Sequence, residues 1–292
     1  MLNRQSVLVD GVDVSYFVGG PEKGQPVLFL HGIPASASLW KLVASNFIKQ
    51  GYRVYAPDLP GYGATKVADE YDDNVYSLSG TADILEQWLD CLSIDSVWLV
   101  AHDIGGGVGQ IFACRYPERV SYLTLSNCIV SNKWPVPIIS LVQRVAKLGL
   151  YTLMARIGGM THGLAWHKLK KNVFNKQIMS RALARKIFWQ DKVYSRDGRK
   201  AFAKHVKALS PEELCSYDQA MHELKIPTLL AWAKNDPNQP WEVSGKWLQD
   251  AIPHAEVRLL DNAGHFFQLE KADEYAAQLV CWHHQQTSST FG

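Results

Sequence analysis

Short apolar runs separated by helix-length segments set the pattern of this chain. Val27-Leu-Phe-Leu30, Tyr52 to Ala56, Val97 to Ala101, Val120 to Leu125, Thr228 to Ala233 and Val257 to Leu260 predict strands. Val97 to Ala101 has no polar position at all, as expected of a strand buried on both faces. Helical patterns, such as Gly105 to about Tyr116, alternate with the strands, which predicts a mostly parallel sheet covered by helices on either side. The rhythm breaks after Leu125. About a hundred residues of helix-like sequence, including Ile138 to Lys147 and Arg181 to Trp189, intervene before the next strand at Thr228. Pro135, Pro137, Gly158 and Gly159 punctuate that interval.

A chain of 292 residues suits one large α/β domain carrying an insertion. Its five cysteines (Cys91, Cys114, Cys128, Cys215 and Cys281) are odd in number and lack C-x-x-C spacing, so reduced thiols in a cytoplasmic protein are expected. No run of 18 apolar residues exists, and Met1-Leu-Asn-Arg4 does not begin a secretory signal. The polar tail from Gln285 to Gly292 is expected to fray, and His283 and His284 to be exposed.

Charge divides unevenly. Residues 133–225 hold 18 Lys and Arg against 6 Asp and Glu; of the chain's 30 and 28, that leaves 12 against 22 elsewhere. Attraction between the two parts and solvated helix faces are the first account of this; an anionic substrate drawn toward the entrance by that field is the alternative. Lys168, Lys170 and Lys171 come with no nucleic-acid recognition motif, and the net charge is only +2, so no nucleic-acid partner is expected. A basic amphipathic helix in this interval is expected to pack on the rest of the protein rather than touch a membrane. The partner expected is a small-molecule substrate, taken by a monomer or homodimer.

Between Ala101 and the helical pattern from Gly105 there is room for only a very short turn, and Asp103 sits on it. So tight a turn needs small residues two before and two after its tip; Ala101 and Gly105 supply them. This is the shape of a G-x-S-x-G nucleophile elbow with Asp in place of Ser. A free carboxyl titrates at about pH 4, so Asp103 needs no base to be a nucleophile at neutral pH. It suits attack on an sp3 carbon bearing a leaving group. With no Ser at the tip, a serine-type esterase is disfavoured. A metal reading of the neighbouring His102-Asp103 pair lacks further ligands, and Gly105, Gly106, Gly107 and Gly109 lack the Lys-Ser/Thr successor of a phosphate loop.

Four further motifs surround the elbow: His31-Gly-Ile-Pro34, Asp58-Leu-Pro-Gly-Tyr-Gly63, Asn235-Asp236-Pro237 and Asp261-Asn-Ala-Gly-His265. Together and in this order they resemble the α/β-hydrolase family, specifically its aspartate-nucleophile branch of haloalkane dehalogenases and epoxide hydrolases, over about residues 5–130 and 225–280. The resemblance implies an α/β-hydrolase core (1–130 and 226–292) with a helical cap (131–225) inserted after the sixth strand. It implies Asp103 as nucleophile, Asp236 as triad acid, His265 as the base that activates water, and the backbone N–H groups of Ile33 and Ile104 as oxyanion hole. It implies no metal and no cofactor. His31 is expected to brace its own loop.

Two departures bear on the substrate. Haloalkane dehalogenases usually clamp the halide with a Trp after the nucleophile and an Asn or second Trp elsewhere; here those positions are Ile104 and Ile33, which offer no side-chain donor. Fluoroacetate dehalogenases carry Asp-Arg at the elbow. Some epoxide hydrolases carry His-Asp-Ile-Gly, as this chain does, and use a Tyr or His/Tyr pair in the cap to protonate the ring oxygen. Candidates for that donor are Tyr151, His162, His167, Tyr194, His205 and Tyr217, with Ala201-Phe-Ala-Lys-His205 near the place of one expected Tyr. Indole N–H groups of Trp134 and Trp166 are alternative leaving-group donors and keep carbon–halogen cleavage open. Epoxide opening is favoured over it by a narrow margin; a third reading is a borrowed fold that binds a small ligand or performs non-hydrolytic chemistry.

Overall fold

A computed structural model describes residues 1–289 of the chain. Nine strands form one sheet: β1 (Asn3–Val9), β2 (Val12–Gly19), β3 (Pro26–Leu30), β4 (Arg53–Pro57), β5 (Lys66–Val67), β6 (Val97–His102), β7 (Val120–Ser126), β8 (Thr228–Ala233) and β9 (Glu256–Leu260). Their order is β1-β2-β4-β3-β6-β7-β8-β9, with β5 beside β2. β1, β2 and β4 pair antiparallel, as does β5 with β2; the ladder from β4 through β3 to β9 is parallel. This is an α/β-hydrolase fold, with the mostly parallel sheet flanked by helices. Counting the two-residue β5, the long excursion follows the seventh strand, not the sixth.

The apolar character of β6 has a direct cause. Leu99 and Ala101 join one buried cluster, with the helices Leu78–Cys91 and Ile104–Arg115. Trp98 and Val100 face the other cluster, against the helices Lys41–Lys49 and Ala272–Ser289. A strand covered on both faces has no position at which a polar side chain meets water. Each large aliphatic side chain so buried contributes roughly 1.5–3 kcal/mol.

The last helix corrects two expectations. It continues from Ala272 to Ser289, so residues 285–289 are helical; the remaining three residues of the tail lie outside the described part. His283 is buried, its ring stacked on Trp98 at 4.8 Å and its Nδ1 2.9 Å from the Tyr52 hydroxyl, which makes it part of the core. His284 is exposed.

Between β7 and β8 the chain makes seven α-helices, Pro137–Lys147, Tyr151–Arg156, Gly163–Lys171, Arg181–Ala184, Arg196–Ala208, Pro211–Cys215 and Asp218–Glu223, and a π turn at Arg185–Trp189. The insertion is fastened at two places. Phe188, Leu169 and Val173 pack with Ala35, Leu39 and Phe266, while Phe202 and Val206 enter the main core cluster beside Tyr62. It covers the carboxyl ends of the parallel strands, where an open α/β sheet presents its ligand crevice.

Candidate active site

β6 ends at His102 and the next helix begins at Ile104, so the chain reverses on Asp103 alone. Asp103 has φ 56° and ψ −122°, in the half of the map that a non-glycine residue enters only under strain. Two glycines permit it: a Cβ on Gly32 would run into the Asp103 side chain, and one on Gly105 into the His31 carbonyl. The carboxylate is thereby lifted to the N-terminus of the helix Ile104–Arg115, which favours an anion.

Asp103 is buried. Its Oδ1 accepts the Ile33 N–H at 2.8 Å, and its Oδ2 lies 3.6 Å from His265 Nε2. That gap is too long for a hydrogen bond but short enough for the charges to couple. Burial raises the Asp103 pKa above the ordinary carboxylate value; the His265 charge and the N–H groups of Ile104 and Ile33 pull against it, and Asp236 adds to the rise.

His265 lies on the loop after β9, and its Nδ1–H donates to Asp236 Oδ2 at 2.7 Å. Asp236, in the turn after β8, is itself fully engaged. Asn127 Nδ2 donates to the same Oδ2 at 2.8 Å, and the N–H groups of Asn238 and Gln239 donate to Oδ1 at 2.7 and 3.1 Å. A buried carboxylate without such donors would be costly. Burial opposes a charge on His265, but Asp236, with a smaller contribution from Asp103, outweighs it and leaves the pKa raised.

Two more imidazoles frame the pair. His102 donates from Nε2 to the His265 carbonyl at 3.0 Å; burial first, then the nearby His265, hold its pKa well below the usual value, so its ring is neutral. His31 accepts the Leu59 N–H on Nε2 at 3.1 Å and donates from Nδ1 to the Gly32 carbonyl at 3.1 Å, tying its loop to the one after β4. Burial lowers its pKa to about 4.

A cavity of about 470 Å³ opens over Asp103 and His265. Its walls are largely apolar, with Ile33, Ile104, Trp134, Val142, Tyr151 and Phe202 among them. Of the eight leaving-group candidates, Trp134 lines it, and its buried Nε1–H has no partner. His162, Trp166, His205 and Tyr217 do not reach it. His205 is buried beside Tyr62, donates from Nδ1 to the Tyr76 carbonyl at 2.9 Å and is lowered to about 3 by burial. Tyr217 takes the Arg115 Nε–H at 2.5 Å on the outer side of the molecule. His162 is exposed beside Thr161, and Trp166 meets Trp189 at a tilt and carries the Arg181 guanidinium over its ring. Tyr151 borders the cavity but spends its hydroxyl proton on the Lys192 carbonyl at 3.2 Å. Tyr194 is half exposed beneath Arg185, and His167 is exposed.

Lys192 went unnoticed in the sequence because nothing distinguishes it from the other cations of the insertion. It is 1% exposed and lines the cavity, with Nζ 3.2 Å from the Ala35 carbonyl, 3.5 Å from Asp191 and 4.9 Å from the centre of the Tyr62 ring. Burial lowers its pKa against the pull of Asp191 and Asp58. Asn127 was also missed, although a polar residue directly after an apolar strand was the available signal. Among the described residues, no group of three His, Cys, Asp or Glu side chains is placed to hold a metal ion, and no helix is long and apolar enough to cross a membrane.

Strained elbow, N–H cradle and relayed histidine are features of one class of proteins. The model of the α/β hydrolase fold family matches residues 25–272, and the chain belongs to that family. It is 28% identical over 287 residues to a 2-hydroxy-6-oxononadienedioate/2-hydroxy-6-oxononatrienedioate hydrolase of Paraburkholderia phymatum, covering 94% of this chain and 93% of that one. It is 25% identical over 269 residues to a cis-3-alkyl-4-alkyloxetan-2-one decarboxylase of Shewanella oneidensis, covering 86% and 80%. Among solved structures, the epoxide hydrolase CorEH superposes with a TM-score of 0.77 at 19% identity, covering 98% of this chain and 100% of that one, a likeness of fold.

Proposed function

We propose that this protein is a hydrolase that opens an epoxide through an alkyl ester on Asp103, with residues 131–225 as the cap over the reacting carbon. The observation that carries the reading is the Asp103 carboxylate itself: Oδ1 is held by the Ile33 N–H while Oδ2 faces His265 and the cavity. In this mechanism Oδ2 attacks a ring carbon, the carbon–oxygen bond breaks, and its electron pair goes to the departing oxygen. Trp134, in the cavity wall with an unpartnered Nε1–H, is the proposed donor to that oxygen, and Lys168, Lys171 and Lys192 favour negative charge there. His265 Nε2 then takes a proton from water, which attacks the ester carbon. Oδ1 becomes the oxyanion in the Ile33 and Ile104 N–H cradle; its collapse breaks the bond from the ester carbon to Oδ2, which leaves on the product, and the two protons of the consumed water, one of them by way of His265, end on the two product oxygens as a diol.

The electrostatics fit this order of events. Once Asp103 is an ester, His265 loses one of the two anions that raise its pKa and becomes more readily neutral, as a base must be. Carbon–halogen hydrolysis is the second reading, favoured by the same unpartnered Trp134 N–H, which suits a halide as well as an alkoxide.

The test is to make His265→Gln, incubate it with epoxides, alkyl halides and an alkyl oxetan-2-one (the ring named for the Shewanella relative), and weigh the intact protein. Without the base the ester is trapped. An epoxide adds its full mass, a halide its mass less HX, and peptide mapping is expected to place the adduct on Asp103. An adduct on any other residue refutes the mechanism. No adduct while the cavity still binds these compounds would point instead to a ligand-binding or non-hydrolytic protein.

A further inference from the structure

The outer face of the insertion is unusual for a surface in water. Leu141, Leu148, Leu150, Leu153 and Ile157 are each 50–75% exposed, and they fall within 17 residues on the helix pair Pro137–Lys147 and Tyr151–Arg156 and at the cap positions next to it. Leu150, Leu153 and Ile157 are spaced to lie along one helical stripe. The inner face of the same pair, including Ile139, Val142 and Met154, lines the cavity, and Leu141 belongs to both faces. An exposed apolar patch of this extent, continuous with the site, marks an interaction surface.

Charge identifies the occupant. Residues 133–190 contain 11 Lys and Arg and no Asp or Glu. Arg144, Lys147 and Arg156 are exposed among the apolar side chains, and none is in an ion pair among the described residues; Glu212 is the acid that feels Lys147. Two copies of the chain meeting through this face would set like charges together. Apolar side chains interleaved with cations instead match an interfacial helix on anionic lipid.

We infer that the helix pair spanning residues 137–157 docks on an anionic lipid surface, so that the mouth beside Leu141 takes a lipophilic substrate from the lipid phase. This is interfacial docking, with no spanning helix, and it revises the expectation that a basic helix here only packs inward. The inward packing is real, but it leaves the second apolar face uncovered.

Flotation of the full-length protein at low salt tests this, using phosphatidylcholine vesicles with and without about a third phosphatidylglycerol. The protein is expected to float with the anionic vesicles and to remain behind with the neutral ones. Leu148→Glu/Leu153→Glu/Ile157→Glu, and separately Arg144→Glu/Lys147→Glu/Arg156→Glu, should each weaken flotation about tenfold or more. All six side chains are exposed, so circular dichroism and melting temperature should match the parent. No flotation by the parent, or equal flotation by folded variants, overturns the inference. So does a concentration-dependent dimer that the leucine variants abolish while neither vesicle is bound, since the face then serves a second copy.

Discussion

The floor and the roof of the cavity hold their polar groups in different ways. On the floor, Asp236 receives four hydrogen bonds, from Asn127, Asn238, Gln239 and His265, and His265 is fixed by that bond and by His102 beneath it. Strand ends and their first turns supply all of these groups. On the roof, Trp134 presents an N–H with no partner, and Lys192 is steadied by one carbonyl and one neighbouring carboxylate. The Asp236 carboxylate, satisfied at both oxygens, fixes the His265 ring to the tolerance that chemistry requires, although His102 Nδ1 has no partner. Groups left open to the cavity set which substrate completes them. In the proposed mechanism the floor carries the reaction and the roof selects its substrate.

The sharpest way to break this comparison is on the floor. Asp103→Asn is expected to lower turnover of a substrate identified by trapping by about 10⁴-fold or more, as loss of a covalent nucleophile does. Unchanged turnover would remove every reading in which Asp103 reacts. A roof substitution should cost less. Trp134→Phe keeps the apolar wall and deletes one donor to a developing anion, worth roughly 1.5–3 kcal/mol, or about 10- to 100-fold in the rate of ester formation. Single-turnover kinetics should show that step slowed and ester hydrolysis unaffected; the reverse pattern would take Trp134 away from the leaving group.

The smallest effect concerns how the roof is fastened. Burial lowers His205 to about 3 from an ordinary 6.5, so between those values the unfolded chain binds a proton that the folded protein excludes. Stability is therefore complete above about pH 6.5 and declines as pH falls toward the folded value. His205→Gln keeps a donor toward the Tyr76 carbonyl but does not titrate, and melting curves from pH 7 to 4 should fall less steeply for it. Parallel curves would show that this histidine does not carry the acid sensitivity.

How much of this was legible in the chain follows the same division. Buried strands reveal themselves because a segment covered on both faces must be apolar throughout, as Val97 to Ala101 is. The elbow is legible because so tight a reversal needs small residues beside its tip, which Ala101 and Gly105 supply in local sequence, whereas the clearance at Gly32 is a tertiary contact. Asp236 and His265 stand three and five residues past strand ends, where position along the chain nearly fixes position in space. The insertion offers no such rule. Its helices are amphipathic at many angles, so His162, Trp166, His205 and Tyr217 seemed as eligible in sequence as Trp134. Tertiary packing alone placed one indole with an unpartnered N–H in the cavity wall, buried Lys192 among carbonyl and aromatic neighbours, and left a second apolar face on residues 141–157 uncovered. The sequence by itself determined the parallel strands from β3 to β9 and the candidate residues Asp103, Asp236 and His265, since strand periodicity and turn sterics are local; it did not reveal β1, β2 and β5 at the antiparallel edge. Only the folded chain decided what surrounds the substrate, because that depends on contacts between residues far apart along it.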